Sequence, residues 1–164
     1  MLDRSKWTFI IVMGFVGLVF NGGITTQAFA QTDGSVILSN RITHYLDGRI
    51  GTNNPQQKFS CDQRIHSIIE LSELPLGNHE IAVQWFGPSD KLEHIQNFKF
   101  AATASTKATG KPVYLSSFIE FQSAGGLTSI FDPSAGLDAF IGDWRIVVLD
   151  NEENVALKRF SVIC

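Results

Sequence analysis

The side chains best suited to chemistry in this 164-residue chain are four histidines, His44, His66, His79 and His94, and two cysteines, Cys61 and Cys164. No two histidines are spaced i, i+2 or i, i+4, and none adjoins a cysteine, so the spacing that lets one strand or helix present two metal ligands is missing. Each histidine is expected at a solvated strand end or on an outer face, and no metal is expected. Asp132, Asp138 and Asp143 offer oxygen ligands of the kind calcium takes, but they lack the EF-hand spacing and read as an ordinary solvated loop. A Gly-x-Ser-x-Gly nucleophile elbow is absent, and Gly125-Gly126 is not followed by a phosphate-loop pattern. A blue-copper site is excluded because both methionines precede residue 31 and no histidine follows His94. No catalytic residue and no cofactor are predicted.

The N-terminus predicts where these side chains work. Arg4 and Lys6 precede an apolar run from Thr8 to Phe20, and Ala28-Phe29-Ala30 forms a small-x-small cleavage signature. The run is shorter than the roughly 20 residues a spanning helix needs, which favours a cleaved signal peptide over residues 1–30 rather than a membrane anchor. Taking away Asp3, Arg4 and Lys6 leaves 11 Lys+Arg against 15 Asp+Glu, a net charge of −4. This mildly acidic balance, without a basic run, argues against nucleic acid and anionic membranes as partners. The expected compartment is the periplasm or the cell exterior, with no stable membrane insertion after cleavage. In such a compartment the pair Cys61 and Cys164 reads as a disulfide; a reactive thiol pair would want a Cys-x-x-Cys spacing or a neighbouring base.

The elements that must position these groups are strands. Residues 31–35 read as a flexible lead-in, and 36–164 as one domain. Val36 to Leu46 is β-rich and ends at Asp47-Gly48. Cys61 to Leu74 fits two patterns: a helix with Ile65, Ile68, Ile69 and Ser72 on one face, or a strand followed by the Pro75-Leu76-Gly77-Asn78 turn, the simpler arrangement. Glu80 to Phe86 alternates, with Ile81, Val83 and Trp85 on one face. His94 to Phe100 follows, then 101–112 as a mobile loop, then Val113 to Gln122 with Val113, Leu115, Ile119 and Phe121 inward. Ser123 to Ile141 is a long connection in which Asp132-Pro133-Ser134 would start a short turn of helix. Two strands close the chain, one carrying Trp144, Ile146 and Val148, the other Phe160, Val162 and Cys164, around a turn at Asn151 to Asn154.

Seven strands and no long helix predict an all-β, two-sheet sandwich. The strand succession, Trp85 with Gly87-Pro88 after it, and the Gly142-x-Trp144 hairpin resemble immunoglobulin-like and fibronectin-type-III-like modules of bacterial exported proteins over about residues 36–164. Neither cysteine lies mid-strand, so the usual inter-sheet cysteine pair of antibody domains is absent. In that arrangement the second strand starts at the pole where the seventh ends. This brings Cys61 and Cys164 together, with an expected Cα–Cα distance of about 4.4–6.8 Å.

Three outward aromatics, Phe86, Tyr114 and Phe118, are the candidate ligand surface, provided they gather on one exposed face and are not covered by the long loops. Three functions follow as alternatives. The first is a non-catalytic interaction or structural module with an unknown protein or glycan partner. The second is a carbohydrate-binding module using those aromatics, and the third a small periplasmic hydrolase or metal-dependent enzyme. A fimbrial-type subunit would lack a strand, and seven strands in one chain speak against it.

Overall fold

In a computed structural model of the chain, the described residues are 32–121 and 138–164. They form ten strands: β1 Asp33–Ser39, β2 Thr43–His44, β3 Ile50–Gly51, β4 Lys58–Ser60, β5 Ile65–Ser72, β6 Gly77–Phe86, β7 Leu92–Ala102, β8 Val113–Ile119, β9 Gly142–Asp150 and β10 Glu153–Ile163. A short helix α1 at Ala104–Ala108 and a 3₁₀ turn at Asp138–Phe140 complete the elements. The protein is all-β, as expected, but seven strands in two sheets becomes ten in three. One sheet has the order β1-β5-β8, the second β4-β10-β9-β6-β7, and β2 pairs with β3 alone.

Alternation decides which face goes inward. Ile81, Val83 and Trp85 of β6 and Trp144, Ile146 and Val148 of β9 are almost wholly buried. Opposite them stand Leu38 of β1 and Ile65, Ile69 and Leu71 of β5, so the two larger sheets share one interior. Val113, Leu115 and Ile119 of β8 pack against its open side. Each aliphatic side chain so buried contributes about 1.5–3 kcal/mol relative to exposure. Phe59 and Phe160 meet edge-on at 5.8 Å between ring centroids, and Trp85 meets Phe160 edge-on at 6.0 Å.

Several local expectations are corrected. The segment read as a flexible lead-in is ordered from Thr32: that residue is buried, and Asp33 to Ser35 pair with Ser72 to Glu70 of β5. Polar residues in an edge strand look like loop until the partner strand is known. The stretch 36–46 divides at Asn40, after which β2 and β3 form a small hairpin. Ala101 and Ala102 finish β7, and the rest of the predicted mobile loop contains α1. The helical start expected at Asp132-Pro133-Ser134 lies outside the described residues. The closing turn is tighter than expected, with Asn151 and Glu152 both at positive φ, as a two-residue hairpin requires. Asn151 holds it by accepting the Glu80 N–H and donating to the Asn78 carbonyl.

Cys61 does not open a strand; it lies in the turn after β4. Because β4 runs parallel to the end of β10, with Ser60 beside Ile163, that turn still meets Cys164. The disulfide is present, with Cα–Cα 5.3 Å and a sequence separation of 103. Constraining a loop of that size stabilises by up to about 4.7 kcal/mol in the chain-entropy account. The Cys61→Ser/Cys164→Ser variant should lose about 2–5 kcal/mol, read from urea unfolding followed by Trp85 and Trp144 fluorescence. An unchanged midpoint would show that the bond does not stabilise the fold.

Candidate functional site

The predicted ligand surface divides between two faces. Phe86 lies on the outer side of the β6 sheet, next to the inward Trp85, while Tyr114 and Phe118 lie on the outer side of β8 in the other sheet. The three therefore do not gather. Phe86 is also covered: the Arg145 guanidinium sits 3.8 Å from its ring centroid, held there by two contacts of 2.8 and 2.9 Å to Asp90.

Tyr114 and Phe118 belong to a richer surface. Antiparallel pairing sets Phe118 opposite His66 and Tyr114 opposite Glu70. Phe118 is 46% exposed; the His66 ring lies 5.8 Å from it, and the Arg64 guanidinium 4.9 Å from its centroid. Arg64 is oriented by Glu120 at 2.8 Å. The β2–β3 hairpin reaches the same side, where Asp47, Gly48 and Arg49 line a cleft with Val113 and Tyr114. Arg49 is fixed by Asp47 at 2.7 Å and lies over the Tyr45 ring at 5.2 Å. Cover for this face comes in part from that hairpin; residues 123–137 of the long loop expected to cover it lie outside the described residues. Tyr45, Arg49 and Arg64 were not singled out from sequence, and His66 was expected only at a solvated strand end or on an outer face. The available signal was Arg64 and His66 preceding Glu70 in the outward row of one strand.

Electrostatics on this face follow from crowding. Burial, then the Arg64 and His44 charges, push His66 below its ordinary 6.5. Burial and the Glu70 carboxylate push the Tyr114 phenol up. The Arg49 backbone and side chain, both donating to Asp47, hold its carboxyl below the usual range.

A second constellation was unforeseen. His79, expected in solvent, is 5% exposed, with Nδ1 2.8 Å from Asp150 Oδ2 and Nε2 2.9 Å from the Pro75 carbonyl. The Thr32 hydroxyl donates to the same Asp150 oxygen at 2.7 Å, and Phe100 stacks on the ring at 5.5 Å. Threonine, histidine and aspartate are thus in contact, but a hydrolytic triad needs a ring nitrogen free to take a proton from the hydroxyl. Here one nitrogen faces a carboxylate and the other a carbonyl, so the group is a buried clasp joining the start of β1 to β6 and β9. Among the described residues no group of three or more His, Cys, Asp or Glu could hold a metal. Asp143 instead accepts from the Ser161 hydroxyl at 2.9 Å, and Asp132 lies outside the described residues.

No family model matches the chain, and no curated protein matches it. Among solved structures it is similar to the Pseudomonas fluorescens alkylpurine DNA glycosylase AlkC bound to DNA containing an abasic site analog, with TM-score 0.45, 10% identity, and 82% of this chain covering 31% of that one. It is also similar to β-glucosidase from Listeria innocua in complex with glucose, with TM-score 0.39, 10% identity, and 80% of this chain covering 16% of that one. The chain thus spans less than a third of either protein.

Two expectations follow. Asp150→Ala strands the Thr32 hydroxyl and a His79 nitrogen in a buried site at about 1–3 kcal/mol each, whereas Thr32→Ala costs about 1 kcal/mol. Urea midpoints of the two variants should fall in that order, and equal midpoints would dismiss the clasp. For His66, the unfolded chain takes up the proton before the folded one as pH falls. Stability should therefore drop on acidification through about 6.5, and His66→Gln should remove that component of the pH profile.

Proposed function

We propose that the chain is an exported, non-catalytic interaction module with an immunoglobulin-like sandwich, and that it docks a protein partner through the outer face of β5, β8 and the β2–β3 hairpin. The carrying observation is the half-exposed Phe118 with Arg64 and His66 set against it, beside Tyr114 and the Tyr45–Arg49 pair. Aromatic side chains and arginine are the residue types enriched at protein interfaces, and arginines already tethered by Glu120 and Asp47 lose less freedom on binding.

The strand order supports the immunoglobulin-like reading. β1, β5 and β8 stand where strands A, B and E do, and β6, β9 and β10 where C, F and G do. Trp85 occupies the place of the buried tryptophan on strand C. The cysteine bond ties the β4–β5 turn to the end of β10, and a disulfide supports an oxidising compartment. Among the described residues no helix is long and apolar enough to cross a membrane. A sugar platform has less support, because Arg145 covers Phe86 and Arg64 occupies one side of Phe118. A hydrolase has less still, since the His–Asp contact is buried.

The test is affinity capture from the exported fraction with the immobilised mature chain and its Phe118→Glu and Leu157→Glu variants, Leu157 being an exposed residue of the opposite sheet. A protein held by the wild type and Leu157→Glu but lost with Phe118→Glu is the expected result. Retention by all three, or by none, rejects the docking face.

A further inference from the structure

The larger sheet sends Ile81, Val83, Ile146 and Val148 into the core, so the residues between them stand on its outer face. Cross-strand partners share a face. Pairing therefore sets Leu157, Val147, Gln84 and Ile95 in one row across β10, β9, β6 and β7. Both ends of that row are open, Leu157 being 46% and Ile95 44% exposed. In the next row toward the start of β9, Arg159 lies directly opposite Arg145, an unfavourable pairing of like charges unless anions compensate both. At the other end of the face, Glu152 of the closing turn and Glu80 line a depression with Leu149 and Ala82. Asp90 compensates Arg145, and Lys99 compensates Glu80. Among the described residues Arg159 and Glu152 take part in no ion pair.

A face with an apolar middle, an unbalanced positive charge at one end and an unbalanced negative charge at the other is complementary to itself when turned end for end. We propose that a second copy of this chain packs on it, face to face, about a two-fold axis. The axis lies in the face, perpendicular to the strands, and crosses β10 near Ala156. Arg159 is three residues to one side of that point and Glu152 four to the other. The mismatch is one residue, about 3.4 Å, which two long side chains absorb. Each Arg159 then meets Glu152 of the other copy, and the aliphatic rows of the two copies lie side by side. A contact of this symmetry is closed, so association stops at the dimer. The area is sufficient as well. Four strands about 4.8 Å apart, with nine residues at about 3.3 Å each as in β9, present roughly 600 Å² of face before side-chain relief is counted. A standard interface takes about 800 Å² from each partner. This inference does not depend on the docking face, which belongs to the outer side of β5 and β8.

Sedimentation velocity of the mature, oxidised protein at roughly 1–100 μM, the weak end of what such an area supports, tests it. The wild type should form a dimer. Leu157→Glu should be monomeric with an unchanged urea midpoint, because the residue is half exposed and leaves the core intact. Arg159→Glu and Glu152→Arg each set like charges together at both symmetric contacts, and each alone should weaken the dimer at least about tenfold. Mixed in equal amounts, these two variants should pair with each other at close to wild-type affinity, since every contact is again between opposite charges. That recovery also shows that both single variants are folded. A monomeric wild type, or no recovery on mixing, overturns the proposal. So does a dimer abolished by Phe118→Glu and kept by Leu157→Glu, which would place the contact on the smaller sheet. Open-ended association beyond two copies overturns it too.

Discussion

A buried indole N–H has to find an acceptor, and the one on Trp85 finds it on the opposite sheet. Trp85 is fully enclosed on β6, and its Nε1 donates at 3.0 Å to the Ser117 hydroxyl of β8, which is buried too. Leaving such a donor unpaired would cost about 1–3 kcal/mol. The bond therefore couples the separation and register of the two sheets. Ser117 is itself fixed, since its carbonyl accepts from Ser67 of β5. Trp144 solves the same problem differently, donating to the Phe140 carbonyl at 2.8 Å and so holding the 3₁₀ turn at the sandwich end. Packing alone would tolerate sliding; an indole and a hydroxyl at hydrogen-bond distance do not.

Legibility followed locality. The inward rows of β6, β9 and β10 were readable because alternation is written in consecutive residues, and the cysteine pair because compartment and parity constrain it. Thr32, His79 and Asp150 were not readable: they are separated by dozens of residues, and each alone reads as a surface polar group. The same holds for Arg145 over Phe86, which turned a candidate platform into a covered ring. Alternation located Tyr114 and Phe118 on one face of their strand, but only strand pairing brings His66 and Glu70 beside them.

The two outer faces differ in kind. On the larger sheet, cross-strand pairing lines up Leu157, Val147, Gln84 and Ile95 as a mostly aliphatic row, with Arg145 lying along Phe86 at one side. On the smaller sheet the aromatics are interleaved with arginines, histidines and carboxylates, and the β2–β3 hairpin adds a further layer over it. Directional polar groups beside aromatic rings give orientation as well as area, which is the asymmetry that favours the smaller sheet as the recognition face.

The bond from Cys61 to Cys164 also fixes how the domain would carry mechanical load. Tension applied between Thr32 and Cys164 passes along the chain only as far as Cys61 and then crosses the sulfur bridge, so residues 62–163 are out of the force path. Fully extended, the loaded segment of about 30 residues reaches roughly 100 Å, against roughly 450 Å for the reduced chain. In the oxidised state the strands bearing Trp85 and Trp144 cannot be drawn out by such a pull, and β1 to β4 are the only strands it can peel. Redox state thus decides whether the domain yields a short length of chain under load or a long one.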